Sequence, residues 1–302
     1  EKELGTLRLI GAQPISVLKW LLQKMCIRFI VFSIITLFSL KLLILIFSPS
    51  AFNDLGLLLS FFLIVVGYIL FWFTVSVIVN LKVNDSSKNA FSLIAVWLLI
   101  VLIIPATINQ IGNTLYPTPS RLKMINEIRL IKKENEEKQN EIMDDYLKTH
   151  PELVQENEKE KFGFWHNYFA SEKAMEAKIK PLLAKYDLQI NKQQKLIAFF
   201  EYISPAILLQ QSLNNIAGTS SEHYNDFKKQ VFEFSNDWRN YLVPMLFKGE
   251  KFKKTNYDEM PNFIYKNRIE NKVWSNLLVI LIVSTIVLCF SVRKSSKSNF
   301  LD

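Results

Sequence analysis

Residues 273–292 read VWSNLLVILIVSTIVLCFSV, twenty positions without a formal charge, and Arg293, Lys294 and Lys297 follow at once. A helix of that length crosses a hydrocarbon core of about 30 Å. It has to be a helix, because only then do the backbone N–H and C=O groups find partners inside the segment itself. This stretch is therefore read as a membrane span with a basic end.

Three more spans lie toward the start of the chain. The first is predicted at 25–47, and between Phe29 and Phe47 fifteen of nineteen residues are apolar. Each favours the bilayer centre by roughly 0.3–0.6 kcal/mol. Lys41 opposes them by roughly 2.5–3.5 kcal/mol at mid-depth, too little to overturn the sum. It lies near the span's end, where its stem can snorkel to the headgroups or toward Asp54. Ser48, Pro49 and Ser50 turn the chain into a second span, 55–79. A polar loop at 81–89 carries Lys82 and Lys88, and a third span follows at 90–111. Pro105 lies inside that third span and should kink it.

Basic residues orient the spans. Arg8, Lys19, Lys24 and Arg28 precede the first, Lys82 and Lys88 join the second to the third, and Arg293, Lys294 and Lys297 follow the fourth. In a four-span chain all three groups share one face, which the positive-inside rule makes cytoplasmic. The opposite short loop, 48–54, has no Lys or Arg. The long segment 113–272 is then extracytoplasmic, since long domains translocate largely regardless of their charge. The chain divides into a cytoplasmic juxtamembrane segment (1–24), three transmembrane helices (25–112), a helical extracytoplasmic domain (113–272), and a last transmembrane helix with a basic cytoplasmic tail (273–302).

Composition agrees with this division. Of 302 residues half are hydrophobic and 13% aromatic, with only 8 Gly and 10 Pro, which favours long helices over a β-rich or disordered chain. A mean hydropathy of +0.14 averages an apolar and a charged population. The net charge of +8 is uneven: 113–272 holds 25 Lys/Arg against 23 Asp/Glu, and the rest holds 11 against 5. The excess accompanies the spans, so it reads as topology and not as a nucleic-acid surface. Cys26 and Cys289 both fall in spans, so no disulfide framework supports the charged segment. Nothing at the start resembles a cleavable signal peptide.

Within 113–272 a charged helix is expected over 121–148, with Leu122, Ile125, Ile128 and Ile131 at helical spacing; its polar stretch 132–141 should be exposed. Two further helices are expected at 152–175 and 177–200, the second with Pro181 near its start. The stretch 199–209 is too apolar for a free surface and too interrupted for a span, so it should lie on the membrane or dock on the spans. Gly218 to Ser221 break the chain. A helix over 221–247 then carries an aromatic face, Tyr224, Phe227, Phe234, Trp238 and Tyr241, and 249–261 reads as a loop.

No Walker-type phosphate loop, Gly-x-Ser-x-Gly elbow or His-Glu-x-x-His helix is present in the sequence. His150, His166 and His223 lack ligand spacing and are expected in surface or packing roles, and six dispersed Met residues do not form a soft-metal path. The reading is a non-enzyme with no catalytic residue, metal or cofactor. Asn109, Gln110 and Asn113 end the third span just beyond Pro105. They are candidates for a hinge or a polar route, the alternative being an ordinary interfacial helix end.

The opening carries the most specific pattern: Glu1-Lys-Glu3-Leu-Gly5-Thr6-Leu7-Arg8, then Gln13-Pro14-Ile15-Ser16 and Lys19-Trp20. Physically it is an amphipathic element, a proline break and a helix entering the bilayer, suited to a juxtamembrane anchor with Trp20 at the interface. The Glu-x-Glu-x-Gly-Thr-Leu-Arg pattern followed by Pro-Ile-Ser resembles the cytoplasmic coupling segment of ABC-2 type transporter permeases. The closest likeness is to a bacterial subgroup with a large helical extracytoplasmic loop before the last span, which includes gliding-motility and copper-processing export permeases. Ser204-Pro205 and Ala217-Gly218-Thr219 fit that subgroup loosely. The family usually carries two spans ahead of this segment, so the resemblance implies a chain lacking its first two spans.

The resemblance further implies a half-transporter in the bacterial inner membrane. A separate ABC ATPase would dock on Glu1, Glu3, Gly5, Thr6, Leu7, Arg8 and Pro14, with Leu7 in an apolar groove and Gly5 allowing close approach. A second permease subunit, identical or different, would complete the route. Two other functions stay open: an ATPase-coupled mechanotransmitter acting on extracytoplasmic partners, and a membrane-anchored binding or scaffold protein.

Overall fold

A computed structural model describes residues 17–83, 85–151, 163–248, 253–269 and 272–295. Every regular element among them is helical, and four helices are long and apolar enough to cross a bilayer: Leu22–Phe47, Leu55–Lys82, Ser86–Leu115 and Val273–Phe290. The chain is an all-α polytopic membrane protein, as the apolar runs predict. It forms two compact units: Glu1–Ile111 with Ile197–Ser220 and Glu270–Asp302, and Gly112–Leu196 with Ser221–Ile269.

The first unit is built around α2 (Leu55–Lys82), entered from α1 (Val17–Phe47) through a 3-10 turn at Pro49–Asn53. Asp54 caps α2, its carboxylate accepting from the Leu57 N–H at 3.0 Å. Lys41 is exposed. The buried face of α2 carries Ile64, Phe71, Val75 and Val79 at helical spacing. They meet Val273 and Ile280 of α11 (Val273–Ser295) and Leu208 of α8 (Pro205–Ile216). Between these apolar residues run Ser60, Gly67 and Thr74, buried and seven apart. Small residues at that repeat let two helix backbones approach closely. A β-carbon on Gly67 would stand 2.9 Å from Leu277 Cδ1, so the contact has no room to spare. The hydroxyls of Ser60 and Thr74 donate to the carbonyls of Gly56 and Leu70, each at 2.9 Å, and so need no outside partner. Of the stretch 199–209, expected on the membrane surface or on the spans, the part from Ser204 docks on the spans with Leu208 fully buried among them, whereas Phe199, Tyr202 and Ile203 are exposed.

The third span begins as α3 (Ser86–Trp97), capped by Asp85, whose carboxylate accepts from the N–H groups of Ser87 (2.8 Å) and Lys88 (3.2 Å). Asn89 Nδ2 donates to Asn80 Oδ1 at 2.6 Å, joining α3 to the end of α2. The span continues through a π-helical turn, Leu98–Ile103, into α4 (Ile104–Leu115).

In the second unit α5 (Arg121–Glu137) and α6 (Gln139–Thr149) replace the single helix expected over 121–148. The interruption falls at Lys138 (φ −104°, ψ 23°), although no Pro or Gly marks it. The polar stretch is not wholly exposed either. Asn135 is 1% exposed, donating to the Ser171 carbonyl at 3.3 Å and accepting from Lys178 Nζ at 3.0 Å. Those partners lie on α7, Phe164–Phe200, one helix of 37 residues where two were expected. Pro181 lies inside it. The missing N–H costs one hydrogen bond, but bonds from α7 to other elements hold the helix on both sides: Glu176 to Arg239 before the proline, Asp187 to Lys228 (2.6 Å) after it.

α9 (Ser221–Phe247) carries the predicted aromatic face only in part: Tyr224 is 65% exposed, whereas Phe227 and Phe234 pack on Phe263. Gln230 fixes that extended segment, donating to the Lys266 carbonyl (2.7 Å) and accepting from the Lys266 N–H (3.0 Å). The expected loop 249–261 contains a one-turn helix, α10 (Lys254–Asp258). A smaller cluster joins Met143, Ala170 and Phe247. His166 packs edge-on to Phe247, and its Nε2 lies 3.2 Å from the Leu246 carbonyl. His150 stacks on Tyr146 and His223 is buried. Each of the three histidines thus has a packing role within this unit.

Candidate functional site

The most unusual backbone in the first unit is the π turn, and Pro105 explains what it needs. In an α-helix the Ile100 carbonyl would accept from the N–H of Ile104; in a π pattern it would accept from residue 105. Here the Ile104 N–H is committed to the Leu99 carbonyl, and residue 105 is proline, with no N–H to give. Both helical donors are withdrawn from a carbonyl near the middle of a span, where no water can replace them. Ser204 supplies the bond: its Oγ donates to the Ile100 carbonyl at 3.1 Å, and the residue is fully buried.

Sequence explains how Ser204 comes to be there. Residues Glu201–Ile203 form a 3-10 turn, Ser204 is extended (φ −117°, ψ 109°), and Pro205 starts α8 at the first helical position, which proline favours. Two turns further along α8, Ser212 Oγ accepts from Asn276 Nδ2 of α11 at 3.0 Å, with both residues buried. α8 is therefore pinned by hydrogen bonds at Ser204 and Ser212 and by the packing of Leu208 between them. Polar pairs of this kind hold helices together in lipid, where apolar attraction between spans is weak.

The residues singled out from sequence do not form one cluster. Pro105 is partly buried beside the π turn, and Asn109 and Gln110 are exposed on the following turns of α4. Asn113 belongs to the second unit, where its Oδ1 accepts from Gln193 Nε2 at 3.2 Å. The coupling candidates Glu1, Glu3, Gly5, Thr6, Leu7, Arg8 and Pro14 lie outside the described residues. Sequence reasoning named Pro105, and Ser204 only within a loose family likeness; it missed Ser204 as donor to the Ile100 carbonyl, and it missed Ser212 and Asn276. One signal was available: Asn276 is an amide within an apolar span, and such a group needs a partner.

In the second unit Glu134 sits between two ammonium groups, Lys138 at 3.2 Å and Lys178 at 3.3 Å. The bond from Lys138 first, and that from Lys178 next, hold its carboxyl below the ordinary carboxylate value. Among the described residues no group of His, Cys, Asp and Glu is arranged to hold a metal.

No curated protein and no solved structure matches the chain. A family match begins at the first residue of α5 and ends at Lys266, whose backbone Gln230 grips: residues 121–266 match a domain of unknown function, DUF3526.

Proposed function

We propose that this chain is the permease subunit of an ATP-driven exporter of the ABC-2 type, coupling a separate ATPase to movement of a substrate across the bacterial cytoplasmic membrane. The observation that carries this reading is the DUF3526 match, because that domain is found in ABC-2-like transporter permeases. Its place between the third and fourth apolar helices supports the same reading, as does the opening Glu-x-Glu-x-Gly-Thr-Leu-Arg pattern. In this role the chain hydrolyses nothing. ATP binding and hydrolysis occur in the partner, and the permease converts the partner's motion into a change of helix packing, a coupling between two-state arrangements. A second permease subunit completes the assembly. Residues 113–272 face away from the cytoplasm, as the positive-inside rule requires of a chain with Arg8, Lys82 and Arg293 on one side.

The docking proposal is tested by affinity capture of the ATPase from membranes. Capture should be lost on Leu7→Asp, which places a charge in an apolar groove, and on Arg8→Glu, which reverses a contact. Retention of the ATPase by both variants would contradict it. Capture of an extracytoplasmic partner, with ATP hydrolysis but no transported molecule, would favour mechanotransmission through the same architecture.

A further inference from the structure

The third span changes its buried face at the π turn. Asn89, Ser92, Leu93, Val96 and Ile100 are at least partly buried, and so are Val101, Ile104, Pro105 and Ile108, while Ile103, Thr107 and Ile111 are exposed. An unbroken α-helix would carry the first stripe on through 103 or 104 to 107 and 111. The wider turn displaces it by one residue, about 100° of rotation about the axis. Closing the turn to α geometry would return the Ile104 N–H from Leu99 to Ile100 and bring Thr107 and Ile111 to the face that Ile108 now occupies. The Ile100 carbonyl would then be satisfied without Ser204. The two registers therefore differ in whether they need the Ser204 hydroxyl.

We propose that Leu98–Ile103 is a two-register joint in the third span and that the Ser204 hydroxyl is the latch that holds it in the π register. Ser204 begins α8, so a displacement of α8 that breaks the 3.1 Å bond removes the one advantage of the π register: Ile100 then loses its donor there, just as Val101 lacks one in the α register, where Pro105 has no N–H to give. That dependence links the seating of α8 to the face that α4, with Asn109 and Gln110, presents. Pro105 makes the latch necessary, because any other residue there would offer an N–H to the Ile100 carbonyl.

The test uses the full chain in nanodiscs, with Cys26→Ala and Cys289→Ala as background and a single Ile108→Cys or Ile111→Cys substitution. Maleimide labelling rates report which position faces outward. With Ser204 in place the Ile111→Cys protein should label faster. Ser204→Ala should raise the rate at position 108 relative to 111 by about tenfold, the scale set by an orphaned buried carbonyl, and Ser204→Thr, which keeps the hydroxyl, should not. In a Pro105→Ala background, where residue 105 regains its N–H, Ser204→Ala should change the ratio by less than about twofold. An unchanged ratio in Ser204→Ala, or an equal change in the Pro105 and Pro105→Ala backgrounds, would overturn the latch. Should Ser204→Ala fail to accumulate, restored accumulation in the Ser204→Ala/Pro105→Ala double variant would support it, and failure of that rescue would refute it.

Discussion

Asn276 Nδ2 meets Ser212 Oγ at 3.0 Å in the first unit, and Lys148 Nζ meets Asp145 Oδ1 at 3.0 Å in the second. The distances agree, but the surroundings do not. The Asn276–Ser212 pair is buried among apolar helices, so breaking it leaves an amide with nothing to bond. The lysine and aspartate are 74% and 76% exposed, so water takes over each role as soon as the pair parts. Among the described residues the first unit holds several buried or partly buried polar pairs, each a specific bond: Ser204 to Ile100, Ser212 to Asn276, Asn80 to Asn89. The second unit contains many polar groups, most of them exchangeable. Stability should therefore respond sharply to small changes in one and weakly to larger changes in the other.

Gly67→Leu is the strongest challenge to that contrast. It drives four extra carbons into a contact that lacks room for one, and should destabilise the detergent-solubilised chain by about 3 kcal/mol, near the upper end for overpacking. Thermal unfolding measures it, and an unchanged midpoint would mean that α2 and α11 do not pack through this glycine. Asn276→Leu comes next, with a loss of about 1–2 kcal/mol from the abandoned Ser212 hydroxyl and the lost interhelical bond. Adding Ser212→Ala should recover part of that loss, since no polar atom is then left unpaired. In the second unit Arg239→Met removes the partly buried pair with Glu176 and should cost about 1 kcal/mol or less. Lys148→Ala should lie within about 0.5 kcal/mol of the parent. A larger loss for Lys148→Ala than for Asn276→Leu would reverse the comparison.

The smallest effect is one of pH. Lys138 and Lys178 hold the Glu134 carboxyl below its ordinary value of 4.5, so the ionised form is favoured by folding. That contribution is complete above the unfolded value and is lost as pH falls through the lower folded one. Acid titration of unfolding should thus show a slightly steeper loss below pH 4.5 in the parent than in Glu134→Gln. Equal slopes would mean that the exposed pairs do no more than water does.

Much of the fold was legible because membrane spans announce themselves by composition. The runs ending at Phe47 and beginning at Leu55 and Val273 coincide with helix ends in the structure. The second unit was less legible, because its helices are set by contacts distant in sequence. Pro181 reads as a helix start, yet α7 runs through it, held by Arg239 and Lys228 from α9. Asn135 sits in a stretch that is polar all round, and only the approach of α7 makes it a buried residue. At the candidate site Pro105 was visible as a helix irregularity. The form that irregularity takes was not, because the Ile100 carbonyl is met by Ser204, 104 positions from it along the chain.

The proposed topology puts the two units in different solvents, one in lipid with its short loop inside the cell, the other in water beyond the membrane. Ser86 and Asn140 are both exposed, so each can carry a reporting thiol once Cys26 and Cys289 are replaced. In intact cells a maleimide that cannot cross the membrane should label the Asn140→Cys protein and reach the Ser86→Cys protein only after lysis. Labelling of Ser86→Cys in intact cells, with Asn140→Cys protected, would contradict the account.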